Sequence, residues 1–284
     1  MTIAEAEKIF NQRLLSLYGE DEARNIAYYS LEHICRVSKK QLLLAKNKNL
    51  TPMEETSIGM ILDELETGKP VQYCIGETYF YGLRFKVDPS VLIPRPETEE
   101  LVDWVLTEVK DQNIQTGSLL DIGTGSGCIP VALKKNLPEA TVYGLDISSA
   151  ALEMAIQNAV MNQTEVKFIH ADILSNPDLK ALVLDVIVSN PPYITTQEKK
   201  DMHKNVIDYE PQSALFVEGE DPLLFYRCIA NFAKENLAEK GLLFFEINEK
   251  FGKETVLLLQ EKGFKNVELR QDMTGKDRMI KASL

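Results

Sequence analysis

The sequence predicts an α/β fold: a parallel sheet with helices on both faces and an antiparallel final hairpin, preceded by a small N-terminal helical bundle and a β-hairpin linker. Three observations carry this reading. Residues 1–70 are rich in Leu, Ala, Glu and Lys and poor in β-branched residues, residues 71–97 turn aromatic and β-branched, and from Leu101 onward short apolar runs alternate with helical periodicity. The 284 residues, 44% hydrophobic and 26% charged, supply the apolar material for one large or two ordinary globular domains.

In the first segment Ile9, Phe10, Leu14 and Leu17 recur every three or four positions, the spacing of one helix face. "TPMEE" starts a further helix: Thr51 suits the cap, Pro52 the first helical position, and Glu54 and Glu55 the first turn. The linker alternates through Leu83, Phe85 and Val87, with Gly76 and Gly82 as punctuation, which is a hairpin pattern. A helix begins near Leu101, and Glu97 and Glu99 just before it favour its N-terminus. Strands follow at 118–122, 141–147, 166–171, 183–188 and 242–247, with helices at 129–136, 148–161 and 222–238. That alternation calls for parallel strands, whose ligands sit at the carboxyl ends. The closing "VELRQDM" and "DRMIKASL" are two strands joined by a Gly-containing turn, hence an antiparallel pair.

Composition narrows the function. A formal charge of −12 runs against a protein that grips a nucleic-acid backbone over a wide surface, because that affinity comes from lysine and arginine displacing counterions. The small basic run of Lys39, Lys40, Lys46 and Lys48 reads as a solvated helix end, so no direct nucleic-acid binding is expected. No apolar run approaches the ~20 residues that span a bilayer, and "MTIAEAEKIFNQ" lacks the pattern of a secretory signal; a cytoplasmic protein without membrane association is expected. Cys35, Cys74, Cys128 and Cys228 form no C-x-x-C pair, and His33, His170 and His203 stand in no triad or zinc-ligand context, so no metal is expected.

The chemistry concentrates in two loops. "DIGTGSG", residues 121–127, sets Gly123, Thr124, Gly125, Ser126 and Gly127 between a strand and a helix, where absent side chains let the backbone turn tightly and approach a ligand. A tight turn alone would explain the glycines. The acids point further: Asp121 at the strand end suits a cationic ligand better than a pyrophosphate, and Asp146 at the end of the next strand suits two ribose hydroxyls. A positively charged nucleoside satisfies both, which points to S-adenosyl-L-methionine.

"SNPPYI", residues 189–194, leaves the fourth strand at the same sheet edge. Pro192 holds Pro191 extended and neither proline has an N–H, so the loop presents acceptors. The side-chain carbonyl of Asn190 and the backbone carbonyl of Pro191 can together accept both hydrogens of an –NH2 group, while the Tyr193 ring packs against the planar group that bears it. Asn190, Pro191, Pro192 and Tyr193 are the predicted catalytic residues. Glu246, at the end of the fifth strand, reads equally as a structural or a site residue.

"DIGTGSG" with "NPPY" resembles the signature of class I amino-methyltransferases acting on planar nitrogen. "FKVDPSVLIPRPETEELV", "DYEPQSALFVEGEDPLLFYR" and "GKDRMI" resemble the protein-(glutamine-N5) methyltransferases of peptide chain release factors, over roughly residues 70–284. The resemblance implies a seven-stranded class I methyltransferase (Rossmann-like) sheet over 98–284, a β-hairpin linker over 71–97 and a bundle over 1–70 that recognises the release factor. It implies methylation of the amide nitrogen of the glutamine in a Gly-Gly-Gln tripeptide, with S-adenosyl-L-methionine as donor and S-adenosyl-L-homocysteine as product. By motif, Asp121, residues 123–127, Asp146 and Asn190 hold the donor, and Asp172 and Ile173 flank its adenine. Ile173 stands where some relatives carry an aromatic residue, so apolar packing rather than stacking is expected, and "FFEIN" departs at Asn248 from the more usual Glu-Ile-Gly. Recognition of a large protein partner favours a monomer. A ribosomal-protein glutamine methyltransferase would share the two loops but typically departs from Pro-Arg-Pro-Glu-Thr-Glu, and an RNA or DNA exocyclic-amine methyltransferase would need the basic recognition surface that this chain lacks.

Overall fold

Helix α1 (Ile3–Cys35) begins with a capping box: the Thr2 hydroxyl accepts from the Glu5 N–H, and the Glu5 carboxylate accepts from the Thr2 N–H. Gly19 interrupts the helix at φ 75 and ψ 175, a conformation that glycine adopts without a steric penalty. The same box opens α2 (Lys39–Leu44) at Ser38 and α3 (Pro52–Leu65) at Thr51, the latter with Pro52 and Glu54 where the sequence predicts them. A short α4 (Val71–Ile75) stops at Gly76, which is left-handed. Phe10, Leu14, Leu31, Leu62 and Leu65 form the buried centre of this helical group. Leu17, expected on that face, is exposed; Tyr18 turns inward instead, its hydroxyl donating to the Leu65 carbonyl at 3.0 Å.

The computed structural model describes residues 1–179, 182–217, 219 and 221–284. Its first unit comprises Met1–Glu77 with His203–Tyr209, and its second Thr78–Met202 with Glu210–Leu284. Among the described residues, no helix is long and apolar enough to cross a membrane.

The stretch 71–97, read from sequence as a separate linker, is divided between neighbouring structures. Its start is the helix α4. Strands β1 (Glu77–Phe80) and β2 (Leu83–Lys86) form the expected hairpin about Tyr81 and Gly82, both at positive φ. Phe80 and Phe85 then meet edge to face, 6.0 Å apart, inside the core of the second unit. Helix α5 (Pro96–Asp111) begins earlier than Leu101, because Pro96 fits the first helical position and Glu97 and Glu99 fall inside the first turn.

The second unit is built on a sheet of β3 (Ser118–Ile122), β4 (Thr141–Asp146), β5 (Val166–His170), β6 (Leu184–Ser189), β7 (Leu237–Glu246), β8 (Lys265–Gln271) and β9 (Asp277–Ser283). Their order is β5-β4-β3-β6-β7-β9-β8, with β9 antiparallel to both neighbours and the other pairs parallel. This is the predicted seven-stranded sheet with its final hairpin. The chain builds outward from β3 to β5, then crosses to β6 on the other side of β3. The switch point therefore lies between β3 and β6, whose carboxyl ends are in register as Ile122 opposite Ser189.

Both sheet faces are covered. Leu119, Val186, Val188 and Phe244 pack under α5, α6 (Cys128–Asn136) and α7 (Ser149–Met161), while Leu120, Ile187, Leu243 and Phe245 pack under α10 (Leu224–Asn236) and α11 (Gly252–Glu261). Neighbouring residues on one strand point to opposite faces, which is why these strands read as continuous apolar runs. In chain order, two short helices, α8 (Lys204–Tyr209) and α9 (Gln212–Leu215), come after β6 and before α10.

Candidate active site

The loop after β3 turns through three positive φ angles, 76° at Gly123, 53° at Gly125 and 78° at Gly127. A Cβ at Gly123 or Gly125 would meet nothing within 4 Å, whereas one at Gly127 would lie 2.9 Å from Ala155 Cβ on α7. The first two glycines thus border open space, and the third lets the start of α6 approach α7. The N–H groups of Gly123 and Thr124 both donate to the Leu145 carbonyl, tying the loop to the end of β4. Thr124 and Ser126 are buried, with Thr124 fitted into the room that Gly144 leaves on β4.

Asp146, expected at a ribose, has structural partners as well. It accepts from the Gly125 N–H at 2.8 Å and from the Ser148 N–H at 2.9 Å, so it shapes the glycine loop itself. Asp172 accepts from the Leu174 N–H at 2.8 Å and caps the single turn Ile173–Ser175 after β5. Ile173 is buried against the α10 side of the sheet, as apolar packing requires.

Asp121 is different. It is 1% exposed, and neither carboxylate oxygen has a hydrogen-bond partner among the described residues. Burial pushes its carboxyl up to about 7, with the nearby Thr124 hydroxyl opposing and the charge of Asp146 adding. Buried polar groups are normally satisfied, so an orphaned acid beside a glycine loop marks a place for a ligand.

The second loop leaves β6. The Ser189 hydroxyl donates to the Ile122 carbonyl at 2.7 Å, which fixes the end of β6 against that of β3. Asn190 Nδ2 donates to Thr98 Oγ1 at 3.2 Å, and Thr98 donates onward to Glu246 Oε2 at 2.7 Å. The Tyr193 hydroxyl donates to the other Glu246 oxygen at 3.2 Å. Neither Asn190 Oδ1 nor the Pro191 carbonyl accepts a hydrogen bond among the described residues. These are the two acceptors that the sequence assigns to an –NH2 group.

Glu246 is thus a site residue with a structural task. It ends β7 beside the Asn190 loop, since Ser189 pairs with Phe245. Burial raises its carboxyl, opposed by the Thr98 hydrogen bond, the Arg278 charge and the Tyr193 hydrogen bond. Burial likewise raises the Tyr193 phenol, and the charge of Glu246 adds to that. Asn248 also acquires a role: its Nδ2 donates to the Tyr193 carbonyl at 3.1 Å and to Glu198 Oε2 at 3.0 Å, holding the chain that leaves the loop. A glycine there could not make these bonds.

The sequence reading missed Thr98 and the buried Glu210. Glu210 accepts from Arg95 Nη2 at 2.5 Å and from the Ile93 N–H at 3.3 Å, joining the "IPRPETEE" and "DYEPQ" segments. His170 Nε2 is 2.7 Å from the Ile147 carbonyl at an exposed position, and His33 and His203 belong to the first unit.

Comparison with known proteins adds the family. A methyltransferase small domain model matches residues 102–220, and a PrmC N-terminal domain model matches residues 9–76. The release factor glutamine methyltransferase of Flavobacterium psychrophilum is 47% identical over 275 residues, 96% of each chain. Those of Bacteroides thetaiotaomicron and Streptococcus pneumoniae are 39% and 38% identical, over 96% and 99% of this chain and 96% and 98% of theirs. The chain belongs to the release factor glutamine methyltransferase family. Within that family's frame, the small-domain match contains the glycine loop, Asp146, Asp172 and residues 190–193, while Thr98 and Glu246 lie outside it. Solved structures agree on the fold. The hMettl16 catalytic domain is 16% identical with a TM-score of 0.54, covering 81% of this chain and 80% of that one. The T. thermophilus 16S rRNA N2 methyltransferase RsmC is 18% identical with a TM-score of 0.51, covering 73% and 49%.

Proposed function

We propose that this protein transfers the methyl group of S-adenosyl-L-methionine to the side-chain amide nitrogen, N5, of the glutamine in the Gly-Gly-Gln tripeptide of peptide chain release factors. The observation that carries the reading is a pair of acceptors without a partner among the described residues, Asn190 Oδ1 and the Pro191 carbonyl, at the switch point next to the glycine loop. When bound, the donor supplies an electrophilic methyl group and leaves as S-adenosyl-L-homocysteine. The residues fit it: the open side of Gly123 and Gly125 takes its backbone contacts, and the orphaned Asp121 answers its positive charge. Asp146, Asp172 and Ile173 serve its ribose and adenine, with Asn190 between donor and substrate.

An amide nitrogen is a poor nucleophile because its lone pair is shared with the carbonyl. Hydrogen bonds from its two N–H groups to Asn190 and Pro191 return electron density to the nitrogen and fix its line of approach, while Pro192 and Tyr193 shape the cradle. The nitrogen becomes acidic as the new bond forms, so the excess proton leaves afterwards and no strong base is required. The helical residues 1–70 recognise the release factor, the hairpin segment leads to the transfer domain, and the protein works as a cytoplasmic monomer.

The test is transfer of a labelled methyl group from S-adenosyl-L-methionine to purified release factor, beside the same factor with its tripeptide glutamine changed to alanine. Label on the first and none on the second is the expected result. Label only on ribosomal protein or RNA would keep the chemistry of the loop and overturn the choice of partner.

A further inference from the structure

The Asn190 amide can face either way in its loop, and only one way is useful. With Oδ1 outward it accepts from a substrate N–H; with Nδ2 outward it offers a donor to a group that is itself a donor. We infer that Thr98 and Glu246 are positioning residues that set this choice, through a one-directional relay of hydrogen bonds from Asn190 to Glu246.

The direction follows from proton counting. A threonine hydroxyl has one hydrogen to give and lone pairs to receive with. Both Glu246 oxygens accept, one from Thr98 at 2.7 Å and the other from Tyr193 at 3.2 Å. The single Thr98 proton is therefore committed to Glu246, and what Thr98 turns toward Asn190 is a lone pair. Only Nδ2 can bond to that, and it does so at 3.2 Å. Turning the amide over would set Oδ1 against the same lone pair and lose the bond. The carbonyl is thereby left on the side where no described residue bonds to it. Glu246 and Thr98 are 1% and 2% exposed, so water does not compete for these bonds as it would at the surface. The same acid holds Tyr193, so both ends of the tetrapeptide are anchored to one carboxyl group.

The inference rests on the proposed glutamine methylation, and its test separates the two. Thr98→Val keeps the branched shape in the first turn of α5 but removes the hydroxyl; Thr98→Ser keeps the hydroxyl but removes the methyl group. Thr98→Val is expected to lower kcat for methyl transfer to release factor about 10- to 100-fold, with KM for the factor within about threefold and donor affinity by calorimetry within about twofold. Thr98→Ser is expected to stay within about threefold of the parent enzyme in kcat. If Thr98 matters only for packing, the order reverses and serine is the more damaging change; that result, or full turnover by Thr98→Val, overturns the relay while the methylation reading stands. Failure of the parent protein to methylate release factor overturns both.

Discussion

Asp121 and Glu246 are both acids near the carboxyl ends of strands in one sheet, both are 1% exposed, and burial raises both carboxyl groups. Their surroundings differ completely. Among the described residues neither oxygen of Asp121 has a hydrogen-bond partner, while each oxygen of Glu246 accepts from a hydroxyl. A buried charge without a partner is costly, and on the proposed function the donor supplies the interaction that Asp121 lacks. Glu246 has already used its acceptors within the protein, to hold Asn190 and Tyr193. On the proposed function, the donor half of the site is left incomplete until the donor binds, and the substrate half is organised in advance.

The largest effect is expected where the two halves meet. Asn190→Ala removes the substrate acceptor and should reduce methyl transfer by about a thousandfold, a loss of the kind seen when one preorganised hydrogen-bonding group is deleted from an active site. Donor affinity, read by calorimetry, should stay within about tenfold. Near-normal turnover would show that the loop does not hold the amide.

Asp121→Asn tests the other half and should weaken donor binding about 10- to 100-fold, the loss of one charge-assisted contact. Its effect on stability has the opposite sign. The carboxyl moves from 3.8 to about 7 on folding, so the folded chain holds a proton more tightly than the unfolded one. Stability therefore falls as pH rises through that window. Without ligand, Asp121→Asn should melt above the parent protein at about pH 8, and the gap should close below about pH 3, where the Asp121 carboxyl is protonated in both the folded and unfolded states. A variant that melts lower at pH 8 would mean that Asp121 has a partner.

What could be read from sequence was local. The glycine spacing, the Asn-Pro-Pro-Tyr step, the capping of α3 and the strand alternation all depend on residues within about one element of each other. The Thr98–Glu246 bond joins positions 148 residues apart and the Arg95–Glu210 pair 115 apart, and each exists only once the strand order is set. Periodicity says that strands are buried; it does not say which lie side by side. Strand β7 shows the same limit. Its first residues, Leu237 and Ala238, read as the end of the helix 222–238, yet Leu237 pairs with Leu184 and starts the strand. Tertiary pairing overrides propensity there. Segment 203–209 belongs to the first unit through a contact of the same kind, Tyr209 reaching Thr67.

Glu246→Gln sharpens the contrast because it is the same neutralising change at the partnered acid. An amide accepts at one oxygen and donates at its nitrogen, so it cannot serve both the Thr98 and Tyr193 hydroxyls as the carboxylate does. One of the two anchors is lost, and kcat should fall about tenfold while donor affinity stays within about twofold. Weakened donor binding in this variant, or intact turnover, would erase the division between the two acids.

The smallest effect needs no substitution. With the Asp121 carboxyl near 7 in the unliganded protein, much of it is protonated at pH 6 and little at pH 8. A cationic ligand binds the ionised form, so binding must first release that proton, and donor affinity should tighten about tenfold between pH 6 and 8 before levelling off. Calorimetry in buffers of different ionisation enthalpy would show the accompanying proton release directly, greatest on the acid side of pH 7. Asp121→Asn should bind weakly but with a flat profile over the same range. A parent profile as flat as the variant's would mean that the acid is already ionised before the donor arrives; its burial would then be matched by an interaction within the protein, and the contrast with Glu246 would disappear.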